Sequence, residues 1–121
     1  MKGIAMNDPK LNKFIVFYQI PASVMSDWAK TDPNTRKSAE EKMKAEWQKW
    51  MSDHAKLVTV TEACGKTKRI AAGGISDTKN DICLYSFIKA ESHEAAAKAF
   101  ENHPHLQIPQ SSIEVMAVRA M

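Results

Sequence analysis

Three segments of the chain carry apolar residues on both of their alternating faces. Residues 13–20 (KFIVFYQI), 82–89 (ICLYSFIK) and 112–119 (SIEVMAVR) are rich in aromatic and β-branched residues, a composition typical of strands. A strand with one face in water alternates apolar and polar residues, and these segments do not. We therefore expect three strands that are buried on both sides.

A longer period marks the helices. Between Pro33 and about His54, apolar side chains recur at intervals of three and four residues, with charged residues between them, which predicts a long amphipathic helix. Residues 31–34 (TDPN) supply a turn and an N-cap, with Pro33 at the first helical position. Residues 23–30 predict a shorter helix, and Ser92 is expected to cap a third that continues through Phe100.

The remaining segments give weaker signals. Residues 57–63 (LVTVTEA) fit either a strand or the end of the long helix followed by a turn, and residues 66–72 (KTKRIAA) fit a short strand. Residues 73–81 (GGISDTKND) are rich in turn-forming types, which predicts a surface loop. Asn102 and Pro104 end the third helix, so residues 103–105 (HPH) are expected to be extended.

The order of these elements predicts an α+β fold. Strand, helix, extended region, strand, helix and strand suit a ferredoxin-like βαββαβ subunit, with an antiparallel sheet and the helices on one face. Helices on one face leave the second apolar face of the sheet open, and an exposed apolar patch of that size is unusual on a soluble monomer. We therefore expect a homodimer formed through the sheet faces around a two-fold axis.

Length and composition support a single folded domain. The 121 residues, 44% of them hydrophobic and 26% charged, are enough for one core and too few to favour two. Residues 1–12 predict a flexible lead-in, and residues 13–121 predict the domain.

Charge, cysteines and hydropathy narrow the partners and the compartment. The net charge of +3 is small, with lysines beside acidic residues, so no nucleic-acid partner is predicted. Cys64 and Cys83 lack the spacing of a zinc site and are too few for a disulfide framework, which favours a reducing cytoplasm. The apolar run from Phe14 to Ile20 is too short for a membrane span and lacks the features of a signal peptide. No membrane partner is predicted.

Two histidines around Pro104 are the leading candidates for chemistry. In an extended segment His103 and His105 project the same way, which suits a proton-transfer group or a pair of metal ligands. Asp81, just before a central strand, is expected to complete the catalytic group by holding the histidine tautomer. Packing behind Phe100 is the alternative, and it explains an isolated pair of histidines more often. No metal site is predicted.

Aromatic residues are the candidates for substrate binding. Trp47, Trp50 and Tyr85 are expected to line a pocket for a small molecule between helix and sheet, although two tryptophans at helical spacing more often belong to a core. Residues 65–67 (GKT) resemble the end of a phosphate-binding loop, but that pattern requires glycine at position 60, where this chain has Val60. No cofactor is predicted.

Several short motifs, in this order and spacing, resemble the YCII-related family of the dimeric α+β barrel superfamily. The similarity covers residues 13–118 and rests on residues 21–23 (PAS), 65–69 (GKTKR), 74–77 (GISD), 85–86 (YS), 90–92 (AES), 103–106 (HPHL) and 113–116 (IEVM). The resemblance implies a ferredoxin-like subunit that pairs through its sheet. Some members are thought to use a histidine and an aspartate near the first helix. This chain has Asp27 and Asp32 there but no histidine, so that pair cannot be transferred.

Two functional hypotheses follow. Related barrels include monooxygenases, isomerases and dehydrochlorinases, and the histidines favour a cofactor-independent lyase or isomerase acting on a small aromatic or carbonyl substrate. The alternative is a dimeric, non-catalytic module that binds a small molecule or a protein, in which the histidines only pack. Most members of the family have no assigned reaction, so the resemblance does not choose between the two.

Overall fold

The computed structural model describes residues 11–121, and residues 1–10, where most of the predicted lead-in falls, lie outside the described residues. Within the described part the chain forms six strands, three α-helices and one 3-10 helix. In chain order these are β1 (Asn12–Gln19), α1 (Ala22–Ala29), α2 (Pro33–Asp53), β2 (Val58–Ala63), β3 (Thr67–Ala71), β4 (Gly74–Thr78), β5 (Ile82–Ala90), α3 (His93–Lys98), the 3-10 helix (Pro104–Gln107) and β6 (Ser112–Ala117).

Helices α2 and α3 begin at capping side chains that the sequence supplies. The Asp32 carboxylate accepts a hydrogen bond from the Thr35 N–H at 3.0 Å, and Pro33 occupies the first turn. The Ser92 hydroxyl accepts from the Ala95 N–H at 3.0 Å. Each cap satisfies a backbone donor that would otherwise lack a partner. Helix α3 ends at Lys98, earlier than predicted, and turns follow it.

Four strands form one antiparallel sheet in the order β2-β5-β1-β6. Strands β1 and β5 are central, and β2 and β6 are its two edges. The pairs Phe14–Ile88, Val16–Ser86 and Tyr18–Leu84 define one face, while the pairs Ile15–Phe87 and Phe17–Tyr85 define the other. Residues directly opposite each other on antiparallel strands point to the same side of a sheet.

The first of these faces, which we call the helix face, carries the core. Trp50 from α2 and Ala96 from α3 pack on it, together with Phe100. The buried apolar residues are Phe14, Val16, Tyr18, Trp50, Ile88, Ala90, Ala96 and Phe100. Both helices therefore cover the same side of the sheet.

The second face, which we call the open face, has no helix packed on it among residues 11–121. Its centre is an apolar strip of half-buried side chains, and Met116 beside them is 53% exposed. The Lys13 ammonium lies 4.6 Å from the centroid of the Phe87 ring. The residues of this face are Lys13, Ile15, Phe17, Val60, Glu62, Tyr85, Phe87, Lys89, Glu114 and Met116.

The prediction of an α+β fold on an antiparallel sheet is confirmed. Of the two possibilities for residues 57–63, the strand is the one found. The prediction of a surface loop over residues 73–81 is wrong, because residues 74–78 are β4 and pair with β3 in a second, two-stranded sheet. Gly74 adopts a φ of 128° beside the turn, a conformation that glycine allows and that lets the chain reverse within two residues. No helix among residues 11–121 is long and apolar enough to cross a membrane.

Candidate functional site

The prediction that the segment with the two histidines is extended is wrong. This segment folds into the 3-10 helix at Pro104–Gln107. The His103 side chain caps this helix: its Nδ1 accepts a hydrogen bond from the His105 N–H at 3.0 Å. Pro104, with its fixed φ, is well suited to the first position of such a turn. Both rings are buried, each with 1% exposure.

Four aromatic rings surround His103. Its ring centroid lies 4.3 Å from that of Trp47 and 4.5 Å from that of Trp50, edge-on to both, and 5.4 Å from Tyr18 and 5.8 Å from Phe100. Because Nδ1 accepts a hydrogen bond, the proton of the neutral ring is on Nε2. This atom is buried without a hydrogen-bond partner in the described part of the chain. A buried N–H without an acceptor keeps its desolvation cost.

His105 ties the 3-10 helix to the end of β1. Its Nε2 donates a hydrogen bond to the Gln19 carbonyl at 3.0 Å. The Ser111 hydroxyl donates to the His105 carbonyl at 2.9 Å. The ring also lies edge-on to Tyr18, with centroids 5.6 Å apart. These contacts fix the path of the chain between α3 and β6.

Burial keeps both histidines neutral. Desolvation, with smaller contributions from His105 and His54, lowers the pKa of His103 from 6.5 to about 3. Desolvation also lowers the pKa of His105, against hydrogen bonds to the backbone of Gln19 and Ser112 that raise it. A general base is most effective when its pKa lies near the working pH. His103, with its low pKa and enclosed ring, is poorly suited to that role.

Of the other residues predicted for the catalytic and substrate sites, Trp47 and Trp50 pack against His103, whereas Asp81 and Tyr85 do not. Asp81 is exposed, and no hydrogen bond within residues 11–121 joins its carboxylate to either ring; its backbone carbonyl accepts from the Ile20 N–H at 2.8 Å. Tyr85 lies on the open face, where its hydroxyl donates to the Glu62 carboxylate. Trp47 and Trp50 pack on the opposite side of the sheet.

A buried chain of hydroxyl groups on the helix face escaped the sequence analysis. The Tyr18 hydroxyl lies 2.8 Å from that of Ser86, which lies 2.6 Å from that of Thr61. Desolvation raises the pKa of Tyr18 despite these hydrogen bonds, so the phenol stays neutral. The one sequence signal for these hydrogen-bonded hydroxyl groups was Ser86, a polar residue among the apolar residues of β5.

A groove of about 680 Å³ lies between α1, residues 39–46 of α2 and residues 107–110. We call it the α1 groove. Met25, 49% exposed, and the half-buried Trp28 and Met43 contribute large apolar surfaces to it. Neither His103 nor His105 lines it. Its lining residues are Ile20, Val24, Met25, Asp27, Trp28, Thr31, Ala39, Glu40, Lys42, Met43, Glu46, Gln107, Ile108, Pro109 and Gln110.

Specific hydrogen bonds hold the walls of the α1 groove. The Trp28 indole N–H donates to the Glu40 carboxylate at 3.0 Å, joining α1 to α2. The Gln107 amide donates to the Glu46 carboxylate at 3.2 Å. This hydrogen bond joins residues 107–110, which form the third wall of the groove, to α2. The consecutive helices α1 and α2 and the distant residues 107–110 are thereby held in one arrangement.

A tight turn forms the rim of the third wall. The Ser111 N–H donates to the Ile108 carbonyl at 3.1 Å, and Pro109 and Gln110 occupy the corners between them. Gln110 has a φ of 60°, a left-handed conformation that costs a residue other than glycine about 1 kcal/mol. This cost is offset by the contacts on either side of the turn, including those of His105.

Three smaller features lie outside the α1 groove. A second hollow of about 270 Å³ lies between α3, the 3-10 helix and β6 and is lined by Phe100, Leu106 and Ile113 among others. His54 stacks on Trp50 at 4.0 Å, and the His93 Nε2 donates to the Val115 carbonyl at 2.8 Å. Among residues 11–121 no three His, Cys, Asp or Glu side chains are grouped so as to hold a metal ion.

Comparison with known proteins does not assign this arrangement to a family. A scan of the chain against models of protein families finds no match, and a search of curated proteins finds none either.

Proposed function

We propose that the protein is a non-catalytic, homodimeric binding module for a small apolar or aromatic molecule, which occupies the α1 groove. The proposal rests on the groove itself, a hollow of about 680 Å³, which is within the size range of small-molecule sites. It has exposed apolar side chains and a few polar groups at its walls. Met25 and Trp28 offer the ligand a sulfur atom and an indole ring.

The buried histidines support a positioning role in this function. His105 anchors the chain to Gln19, next to the groove residue Ile20, and to Ser111 at the end of the Ile108–Ser111 turn. His103 in turn orients the backbone of His105. Proton transfer by His103, His105 and Asp81 stays a prediction, and we do not propose it, because both rings are buried and none of the three residues lines the groove.

The proposed dimer forms through the open face. An apolar strip centred on Ile15 and Phe87, flanked by Lys13, Glu62 and Glu114, is what a face-to-face partner would cover. The strand order β2-β5-β1-β6, with α2 and α3 on one side, is compatible with a ferredoxin-like subunit and supports the proposed relation to the YCII-related dimeric barrels. The free thiols of Cys64 and Cys83 suit the reducing cytoplasm that we propose as its location.

Binding of the neutral apolar dye Nile red, followed by dye and tryptophan fluorescence, tests the groove. We expect Met25→Glu to weaken binding at least about tenfold, since it places a charge against an apolar ligand. Leu106→Glu is the matched control: Leu106 is also partly exposed, at 40%, but lines the smaller hollow. Equal affinities for both variants and the unsubstituted protein would contradict binding in the α1 groove.

A further inference from the structure

The β3–β4 hairpin is an arm that extends from the body of the subunit. Every residue of its two strands except Thr67 and Thr78 is exposed. Ile70 and Ile75 are directly paired and are 76% and 71% exposed. A two-stranded hairpin is marginally stable in water without further packing. An exposed apolar pair near its tip therefore indicates a surface for another body.

The arm leaves the sheet at the same end at which the α1 groove lies. The Cys64 N–H donates to the Cys83 carbonyl at 2.9 Å, so the arm continues the β2–β5 pair beyond Ala63 and Leu84. These two residues lie level with Tyr18 near the end of β1. Ile20, two residues further on, lines the groove. The arm and the groove therefore lie toward the same end of the subunit, the arm at the β2 edge.

The strand directions predict where the arm of a second copy would lie. Strand β2 runs parallel to β1, because both are antiparallel to β5, whereas β6 runs antiparallel to β1. Two such sheets can be placed face to face and related by a two-fold axis that runs parallel to the strands. In this arrangement β2 of one copy lies beside β6 of the other, and the two strands are antiparallel, which is the favourable sense. The same ends of both sheets then lie together. The arm after β2 therefore lies beside the segment before the partner's β6, which is the third wall of its groove.

Charge favours the same contact. The groove walls carry Asp27, Glu40 and Glu46 against one cation, Lys42. The arm and its two connections carry the four cations Lys66, Lys68, Arg69 and Lys79 against the two anions Asp77 and Asp81. Lys68 and Asp77 are bonded to each other at 2.6 Å, on the same face as the isoleucine pair, which leaves the arm with an excess of positive charge. Complementary potentials of this kind orient two surfaces and suppress other registers.

We infer that the β3–β4 arm of a second copy closes the α1 groove, with Ile70 and Ile75 forming the missing wall of the ligand site. This inference rests on the proposed homodimer and on the proposed use of the groove. A single subunit would hold an open hollow, and the dimer would hold two closed sites. Each site would then contain residues of both copies, which couples ligand binding to assembly.

Intermolecular paramagnetic broadening tests this arrangement. Unlabelled protein with Cys64→Ser, Cys83→Ser and Ile75→Cys carries a nitroxide at position 75 and is mixed with nitrogen-15-labelled protein of natural sequence. We expect amide signals of Gln107, Ile108 and Gln110 in the labelled copy to lose intensity. A nitroxide at Lys98→Cys is the control, because α3 lies on the helix face, away from the proposed interface; it should leave those signals unchanged.

The oligomeric state separates failure of this inference from failure of the proposed function. A dimer by sedimentation, without broadening at residues 107–110, would overturn the arm contact and leave the dimer intact. A monomer would overturn both.

A double substitution measures the contribution of the arm to binding. We expect Ile70→Ser with Ile75→Ser to keep the dimer and to weaken Nile red binding about tenfold, the size of effect that partial burial of two isoleucines produces. Lys37→Ser with Lys56→Ser, on exposed positions outside the arm, is the control for loss of surface side chains. Unchanged dye affinity in the isoleucine variant would contradict a wall formed by the arm.

Discussion

The two faces of the central sheet both carry large apolar residues but have opposite surroundings. On the helix face, Tyr18 and Ser86 are fully buried and hydrogen-bonded to each other. On the open face, Phe17 and Tyr85, their neighbours in sequence, are half-buried, and the Tyr85 hydroxyl reaches a carboxylate at the rim. Adjacent residues of one strand thus share a strand propensity and differ in what covers them. The cover, rather than the residue type, decides which polar groups are held in place.

Glutamate substitutions at Val16 and Ile15 should give the largest difference between the two faces, because the first should prevent folding and the second should prevent dimerisation. Val16 is 0% exposed beneath the helices, so Val16→Glu buries a charge without a partner, and we expect a loss of more than about 4 kcal/mol and no cooperative unfolding. Ile15 pairs with Phe87 and Met116 on the open face, so Ile15→Glu should fold and sediment as a monomer. Circular dichroism and sedimentation measure both. A folded Val16→Glu variant, or a dimeric Ile15→Glu variant, would contradict this assignment of the faces.

The pH dependence of unfolding would show how completely the helix face excludes water. The pKa of His103 is lowered to about 3 in the folded protein, against about 6.5 when unfolded. Between these values the unfolded chain binds a proton that the folded chain does not, so stability falls as the pH falls below about 6.5. The slope from this residue approaches about 1.4 kcal/mol per pH unit. Above that range the residue contributes no pH dependence.

The substitution His103→Phe isolates this contribution. At pH 7.5 we expect it to cost about 1 kcal/mol, because the His105 N–H loses its acceptor. As the pH falls toward 4, the deficit should shrink and then reverse, since phenylalanine binds no proton. Denaturant unfolding of both proteins across this range measures the difference. Parallel pH profiles would show that His103 is accessible to water and protonates in the folded state.

Removal of one hydroxyl from each face compares the two faces through a single hydrogen bond. In the monomeric Ile15→Glu background, Tyr18→Phe leaves the buried Ser86 hydroxyl with one partner fewer and should cost about 1 to 2 kcal/mol. Tyr85→Phe, in the same background, removes an exposed hydrogen bond to Glu62 and should change the free energy of unfolding by less than about 0.5 kcal/mol. Equal losses of unfolding free energy in the two variants would indicate that the open face of a single subunit already excludes water.

Local sequence determined most of the elements of this protein. The spacing of Met43, Trp47 and Trp50 and the Asp32 cap were sufficient for α2, and the dense apolar strands were sufficient for β1, β5 and β6. These signals are local, because a helix period, a cap or a β-branched run acts within a few residues. Strand β4 was missed for the opposite reason: its turn-forming composition favoured a loop, and only pairing with β3 makes it a strand.

The candidate site depended on tertiary structure. Sequence placed His103 and His105 together and left open whether they pack or react. It could not show that their rings are buried among residues from β1, α2 and the turn after α3. Nor could it show that Trp28, Glu46 and Gln110, distant along the chain, line one groove. Periodicity identifies which side of an element is apolar, whereas the enclosure of a histidine or the shape of a groove depends on how several elements meet. That difference explains why the sequence alone determined the elements of this protein, and only the tertiary structure decided where a ligand has room to bind.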